Sequence, residues 1–247
     1  FERTFSCCYS APYQHLVEQW VEDIEKFGMK PIIGYSSSSQ KDWKNRLENA
    51  IRRQKLNVKG AEFFCFICTN VTYSSKFVQE TINKIKGDCL LVVDEAHNFG
   101  AINLRKYLNP IFNYRLALSA TLERHNDEAG TEALYSYFGD KCIEYTLEMA
   151  IDNGFLTKYH YHPIFVNLTD EELTDYYKLT KSIQQCIKKG KDGKYTITEQ
   201  GKRLTLKRSR LVSAAQNKLY ALRQEISPFV AENHILVYCG SASLKDF

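Results

Sequence analysis

The sequence contains no run of about 18 or more apolar residues, and no secretory signal precedes its first apolar segment. These absences argue against a membrane-spanning helix and against export, so we expect a cytoplasmic protein. A large excess of one charge is also missing, because the formal net charge is only +4. The 247 residues, 44% of them hydrophobic, suffice for one large domain or two small ones, each with a buried core.

A cysteine pattern typical of zinc sites is absent as well. Among eight cysteines, Cys65 and Cys68 have C-x-x-C spacing, but no second cysteine pair and no histidine pair follows at a suitable distance. Both lie in the apolar run Phe63-Phe64-Cys65-Phe66-Ile67-Cys68. We therefore predict buried, reduced thiols and a reducing compartment.

The most informative segment that is present is an acidic pair after an apolar run. Leu90-Leu91-Val92-Val93 predicts a strand buried on both faces of a parallel sheet, and Asp94-Glu95-Ala96-His97 follows at its end. Ligands of open α/β sheets bind at the carboxyl ends of the strands. One carboxylate there can hold Mg²⁺ against phosphates while the other activates the attacking water. We favour this interpretation over a charged turn between strand and helix.

A second segment ends in small hydroxyl residues. Arg115-Leu116-Ala117-Leu118 predicts another buried strand, and Ser119-Ala120-Thr121 follows it. Ser119 lies 22 residues after His97, which leaves room for one helix between two neighbouring strands. Hydroxyl groups at this strand end can hydrogen-bond the acidic cluster of the adjacent strand.

The first half alternates predicted strands with segments whose apolar residues recur at helical intervals. Repeated β-α units of this kind predict an α/β fold with a parallel sheet covered by helices. The predicted strands are Phe5–Tyr9, Pro31–Tyr35, Phe63–Thr69, Leu90–Asp94 and Arg115–Leu118. We assign this domain to residues 1–150.

The second half has a different pattern. A capping-box sequence at Thr169–Glu172 predicts the start of a helix, and a long helix is predicted over Leu204–Ile226. Residues 151–234 are assigned to a linker with a strand and a basic helical segment, and residues 235–247 to the first strand of a second sheet. The predicted strands here are Cys142–Tyr145, Tyr159–Asn167 and Ile235–Cys239.

Residues 186–210 contain nine basic and two acidic side chains. This cluster indicates either contact with nucleic-acid phosphates or a solvated loop and helix face, and because few aromatic residues interleave with the charges, neither interpretation is favoured. The candidates for phosphate contact are Lys188, Lys189 and Lys191.

Together, the segments at Asp94–His97 and Ser119–Thr121 resemble motifs II and III of superfamily 2 helicases and translocases. Ser10-Ala11-Pro12 followed by Leu16, Gln19 and Trp20 looks like motif Ia of the XPB-like branch, which also holds the motor subunits of type I and type III restriction enzymes. The segment Ser119–Arg124 is similar to that branch's motif III and its extension. Ile235–Ser241 looks like motif IV, which opens the second RecA-like domain.

The resemblance implies an ATP-dependent motor acting on DNA or RNA, most simply double-stranded DNA, with ATP and Mg²⁺ as cofactors. It implies that Asp94 holds Mg²⁺, that Glu95 activates water, and that His97 communicates with Ser119 and Thr121. It also implies that three further residues lie near the nucleic acid: Pro12, Thr69 and Ser241. Partner subunits of a restriction or repair complex are a further expectation.

One motif of that family is missing. The sequence contains no G-x-x-x-x-G-K-[ST] loop, whose backbone N–H groups and lysine cradle phosphates. The family places this loop just before Phe1 and motifs V and VI after Phe247, so we expect a fragment of a longer motor. We therefore expect the 247-residue chain alone to hydrolyse ATP poorly or not at all.

Two other interpretations remain open. The chain could be a degenerate RecA-like module that binds nucleic acid or protein without turnover. It could also be an unrelated α/β fold in which Asp94 and Glu95 bind a metal for phosphoester hydrolysis. That interpretation needs further ligands, for which His125 and Asp127 are the nearby candidates.

Overall fold

The computed structural model describes residues 4–189, 195–229, 231 and 233–238. The chain divides into two compact units, Phe1–Thr146 and Leu147–Phe247. Within the described ranges, no helix is both long enough and apolar enough to cross a membrane.

A five-stranded sheet with the strand order β2-β3-β1-β4-β5 forms the centre of the first unit. All four neighbouring pairs are parallel, which confirms the predicted α/β fold. The strands are β1 (Phe5–Ala11), β2 (Ile32–Gly34), β3 (Phe63–Thr69), β4 (Asp88–Asp94) and β5 (Tyr114–Leu118).

Helices cover both faces of this sheet. They are α1 (Gln14–Lys26), α2 (Trp43–Lys55), α3 (Asn70–Tyr73), α4 (Lys76–Ile82), a 3-10 helix (Ala96–Gly100), α5 (Ile102–Arg105) and α6 (Glu128–Phe138). One core cluster packs α2, α4 and α6 against alternate residues of the strands, and α1 packs with the other cluster. Side chains alternate between the faces of a strand, so a sheet buried on both sides needs the continuous apolar runs seen in the sequence.

Cys65 and Cys68 illustrate this alternation. Both are free, buried thiols, as predicted. Residues three apart on a strand point to opposite faces, and accordingly Cys65 packs in the α1 cluster while Cys68 packs in the other one. The pair therefore cannot chelate one metal ion. Burial raises the pKa of the Cys68 thiol well above its usual range, which keeps it protonated.

The parallel register brings four strand ends to one edge of the sheet. Ala11 of β1 lies opposite Thr69 of β3, and Ser10 lies opposite Val93 of β4. Asp94 lies opposite Leu118 of β5. The segments that follow these strands, which hold most of the predicted site residues of the first unit, therefore start from the same edge.

The second unit is built mainly of helices. Its elements are α7 (Leu147–Asp152), α8 (Asp170–Gln185), β6 (Ile187–Lys189), β7 (Tyr195–Ile197), α9 (Glu199–Ser213), α10 (Gln216–Ile226) and a 3-10 helix (Ser227–Phe229). The predicted capping box is present, because Thr169 and Glu172 each accept a hydrogen bond from the other's backbone N–H. Antiparallel β6 and β7 form a short hairpin between α8 and α9.

The long helix predicted over Leu204–Ile226 is wrong, because the structure has two helices separated at Ala214 and Ala215. The Glu172 carboxylate accepts the backbone N–H of Gln216 at 2.9 Å. This bond satisfies one of the free donors at the start of α10 and so stabilises the break.

The apolar runs predicted as strands in the second half are not strands among the described residues. Residues 142–145, 159–167 and 235–238 have no regular secondary structure, and Phe165 is 94% exposed. An apolar segment becomes a strand only when a neighbouring strand pairs with its backbone, and the described part of the chain supplies none beside these segments. Cys239 lies outside the described residues, and the domain limits stay predictions.

Candidate functional site

The two carboxylates Asp94 and Glu95 stand where β4 leaves the sheet. Leu91 and Val93 are fully buried and hold the strand in the core up to this point. Glu95 has φ 49° and ψ 48°, the left-handed region that a residue with a side chain rarely adopts. The backbone turns sharply there and enters the 3-10 helix Ala96–Gly100, so both carboxylates stay at the edge of the sheet.

Each carboxylate oxygen of Asp94 accepts one hydrogen bond. Oδ1 accepts the backbone N–H of Glu95 at 2.9 Å, and Oδ2 accepts the indole N–H of Trp20 at 3.0 Å. A carboxylate oxygen has two lone pairs, so each of them can still bind a cation or its water. These two hydrogen bonds fix the orientation of the Asp94 carboxylate and leave a free lone pair on each of its oxygens.

No lysine or arginine forms an ion pair with Asp94 or Glu95 among the residues that the structure describes. Among the described residues, the only ionisable partner within salt-bridge distance of Glu95 is His97, at 3.2 Å, and both side chains are partly exposed. Two adjacent carboxylates without a cationic partner fit a site for a divalent cation.

The described residues contain no group of three histidine, cysteine, aspartate or glutamate side chains that could hold a metal by themselves. Mg²⁺ is usually bound by one or two carboxylates together with waters and substrate phosphates, and not by a cage of protein ligands. The acidic pair therefore fits Mg²⁺ delivered with a nucleotide better than a site complete within the protein.

His97 joins the acidic segment to the end of β5. Its Nδ1 lies 3.0 Å from the Ser119 hydroxyl oxygen and 3.2 Å from Glu95 Oε2. The Ser119 hydroxyl donates its own hydrogen to the Thr121 carbonyl at 2.6 Å. Ser119 can therefore only accept from His97, which assigns the imidazole hydrogen to Nδ1.

The side chain of Thr121 bonds elsewhere. Its hydroxyl donates to Glu123 Oε2 at 2.7 Å, and the Tyr135 hydroxyl donates to Glu123 Oε1 at the same distance. The Tyr135 hydroxyl, followed by that of Thr121, lowers the pKa of Glu123 to about 2. Thr121 thus reaches His97 only through its carbonyl and the Ser119 hydroxyl, and the predicted coupling role stays a prediction.

Arg124, which the sequence marked only as the arginine of the motif III extension, is a structural link. Its guanidinium donates to the His97 carbonyl and to Asp127 Oδ2, the latter at 2.7 Å. A Cβ atom at Gly100 would collide with the Arg124 side chain, so the absence of a side chain at Gly100 makes room for it. Arg124 therefore ties the segment after Asp94–Glu95 to the start of α6.

Asp127 is engaged by these contacts, and it belongs to no group of three potential metal-binding side chains among the described residues. Its Oδ1 caps α6 by accepting the backbone N–H of Gly130 at 2.9 Å. The Arg124 guanidinium, which bonds Oδ2, is the main cause that holds its pKa below the usual range. The interpretation in which Asp127 completes a phosphoesterase metal site is not supported.

Two of the residues predicted to lie near nucleic acid follow adjacent strands. Pro12 follows β1, and Thr69 ends β3. Thr69 is buried, and its hydroxyl accepts the backbone N–H of Thr72 at 3.3 Å as the N-cap of α3. Its side chain therefore shapes the local backbone, while the exposed surface beside it is supplied by Val71 and Tyr13.

The other predicted nucleic-acid residues belong to the second unit or lie outside the described residues. Lys188 and Lys189 are exposed on β6, and the Lys189 amine lies 5.8 Å from the centre of the Tyr195 ring across the hairpin. Lys191 and Ser241 are outside the described residues. The positions of the first two lysines neither support nor exclude contact with phosphates.

The parallel sheet and the carboxylates of Asp94 and Glu95 at its edge define an α/β protein of the kind that binds a ligand at the carboxyl ends of its strands. Residues 6–124 match the family described as type III restriction enzyme, res subunit. The match covers just under half of the chain, and over this segment it confirms the resemblance to the restriction-enzyme motor branch that the motifs predicted.

Solved structures that align with this chain include the crystal structure of the Pyrococcus furiosus Hef helicase domain. The identity is 15% and the TM-score 0.40, over 75% of this chain and 38% of that one. A solution structure of a de novo designed protein with a P-loop NTPase fold is 12% identical, with a TM-score of 0.31, over 64% of this chain and 99% of that one. The chain thus spans well under half of the helicase-domain chain that it matches. No curated protein matches the sequence significantly.

Proposed function

We propose that this chain is part of the motor of an ATP-dependent helicase or translocase that moves on nucleic acid. The observation that carries the proposal is the pair Asp94 and Glu95, which stands at the carboxyl end of β4 without a lysine or arginine partner among the described residues. The family match over residues 6–124 supports the same assignment.

The two carboxylates have different surroundings and therefore different proposed roles. Asp94 is held by two hydrogen bonds, as suits a ligand that must keep its orientation. Glu95 is partly exposed and contacts His97, so its carboxylate is available to accept a proton from the attacking water. When bound, Mg²⁺ supplies positive charge that stabilises the phosphates during transfer.

His97 and Ser119 form the proposed connection between the nucleotide and the rest of the motor. The Nδ1–H group of His97 contacts Ser119, and Glu95 shares the same hydrogen. A change in the charge around Glu95 would alter the hydrogen bond that His97 shares between Glu95 and Ser119. The position of Ser119, in the segment after β5, would change as a result. In this proposal Thr121 contributes through its carbonyl group.

A motor of this kind also needs a phosphate-cradling loop, and the printed sequence contains no G-x-x-x-x-G-K-[ST]. The described residues place no strand beside the outer edge of β5, where Tyr114 and Leu116 are exposed. An unpaired edge of this kind can accept a further strand. We propose that this edge receives the strand that leads into the missing loop.

The nucleic acid is proposed to contact the edge near Pro12 and Thr69 and the basic hairpin at Lys188 and Lys189. Lys191 and Ser241 remain candidates from the sequence. Double-stranded DNA is the proposed substrate, and restriction or repair subunits are the proposed partners, on the basis of the family match alone.

The experiment that tests this function uses the gene product that contains this chain, with Glu95→Gln. We expect ATP hydrolysis to fall at least about 100-fold, because the water loses its base, while nucleotide affinity is unchanged. Glu48→Gln makes the same chemical change at an exposed position of α2 and should leave both quantities unchanged. Equal loss of hydrolysis and binding in Glu95→Gln would refute the role of Glu95.

A second candidate function is a module that binds nucleic acid or protein without turnover. The observation that favours it is the absence of a phosphate-binding loop from the printed sequence. Sequencing the coding region before Phe1 decides between the two, because only a motor requires a G-x-x-x-x-G-K-[ST] loop there.

A further inference from the structure

Trp20 is the one side chain that hydrogen-bonds Asp94 among the described residues. Its indole N–H donates to Asp94 Oδ2 at 3.0 Å across 74 residues of sequence. The ring also packs against Tyr9 of β1, with 5.7 Å between the ring centres and an angle of 41° between the planes. Trp20 is therefore fixed from two sides, by β1 and by the end of β4.

The chemistry of the indole makes it suitable for holding a metal ligand. It has a single N–H donor, no acceptor and no charge. It can therefore orient the Asp94 carboxylate without cancelling its negative charge. Asp127 shows the contrast, because a guanidinium at 2.7 Å neutralises that carboxylate.

We propose that Trp20 is a positioning residue that holds Asp94 in the orientation required to bind a divalent cation. The inference rests on the proposed function of Asp94 and extends it to a residue of α1. Partners that orient metal ligands in this way typically contribute about 10–100-fold to metal affinity.

The first measurement tests the contact in the 247-residue chain, which contains two tryptophans. Two indole N–H signals are expected in a nitrogen-15 correlation spectrum, and Trp43→Phe assigns them. Asp94→Asn should shift the Trp20 signal, because it removes the charged acceptor. Asp88→Asn changes an aspartate at the opposite end of β4 and should leave the Trp20 signal in place. An unshifted Trp20 signal in Asp94→Asn would overturn the proposal.

The second measurement tests the role, with Mn²⁺ alone as the probe and electron paramagnetic resonance of the free ion as the readout. Trp20→Phe keeps an aromatic ring but removes the donor, and should weaken Mn²⁺ binding about tenfold or more. Trp43→Phe is the matched control, since Trp43 packs against Phe66 and Phe77 and should not affect the affinity. In an Asp94→Asn background, Trp20→Phe should have no further effect, because it acts through Asp94.

The outcomes separate this inference from the proposed function. Loss of binding in Asp94→Asn with unchanged binding in Trp20→Phe would refute the role of Trp20 and leave Asp94 as the ligand. No dependence of Mn²⁺ binding on Asp94 would refute the role of Trp20, whereas the proposed function, in which Mg²⁺ arrives with a nucleotide, fails only if hydrolysis does not depend on Glu95. If Trp20→Phe fails to fold, the shift of the Trp20 signal in Asp94→Asn still decides whether the contact exists, and its absence counts against the proposal.

Discussion

Phe99 tests whether core packing stabilises the segment that follows Asp94 and Glu95. It is fully buried in the 3-10 helix that follows Glu95, and its ring meets Tyr73 nearly edge-on at 5.6 Å. Removing a buried phenyl group in Phe99→Ala deletes its apolar contacts and leaves a cavity, which typically costs about 3–5 kcal/mol. That is a large fraction of the roughly 5–15 kcal/mol that stabilises a typical domain.

The assay is urea unfolding followed by tryptophan fluorescence. Trp20 and Trp43 both belong to the first unit, so the signal reports the unfolding of that unit even if the second unfolds separately. Ile102→Ala is the matched control, because Ile102 lies three residues further on and is 85% exposed. We expect a change of less than about 0.5 kcal/mol there. A loss in Phe99→Ala no larger than in this control would refute the assignment of Phe99 as an anchor.

Two further predictions concern charge. The folded pKa of Glu123 is about 2, below its ordinary value of 4.5, so the stability that it contributes is present above 4.5 and lost as the pH falls towards 2. Tyr135→Phe should raise this pKa, which a carbon-13 titration of the carboxyl group would show; an unchanged value would contradict the proposed cause. Replacing Lys188, Lys189 and Lys191 by glutamine should reduce the slope of log affinity for DNA against log salt concentration by about 0.9 for each phosphate contact removed. As a control, the same substitution is made at three lysines that are already paired with acidic neighbours, Lys26, Lys76 and Lys178, and should leave this slope unchanged. Equal slopes for the two sets of variants would show that the basic cluster is a solvated face and does not contact phosphates.

The strands of the first unit could be predicted because burial on both faces requires a continuous run of apolar residues, which is visible in the sequence of each strand. A strand in the middle of a covered parallel sheet needs apolar residues at successive positions, as in Phe63–Thr69, and the structure has that strand with the predicted bounds. The helix start at Thr169 was equally predictable, since a capping box involves residues only three apart.

The same reasoning failed where strand formation depends on a distant partner. Residues 159–167 were predicted as a strand, yet they have no regular secondary structure and most of them are exposed in the described structure. Apolar composition predicts that a segment has something to bury but does not say whether a neighbouring strand is available to pair with its backbone.

The candidate site divides in the same way. The order of Asp94, Glu95 and His97 after a buried strand is a local pattern, and it was sufficient to predict an acidic edge. The indole of Trp20 gave one available signal, because a partly buried indole N–H usually requires an acceptor. The sequence could not say which acceptor that was.

For the first unit, the sequence by itself determined the strands, the main helices and the identity of the acidic pair, because each depends on residues within one element. Only the tertiary structure decided that Trp20 holds Asp94, that Ser119 accepts from His97, and that Arg124 occupies Asp127. These contacts join residues from different elements or depend on how a side chain turns. Their geometry is set by the register of parallel strands and the packing of helices on the sheet, which no local spacing specifies.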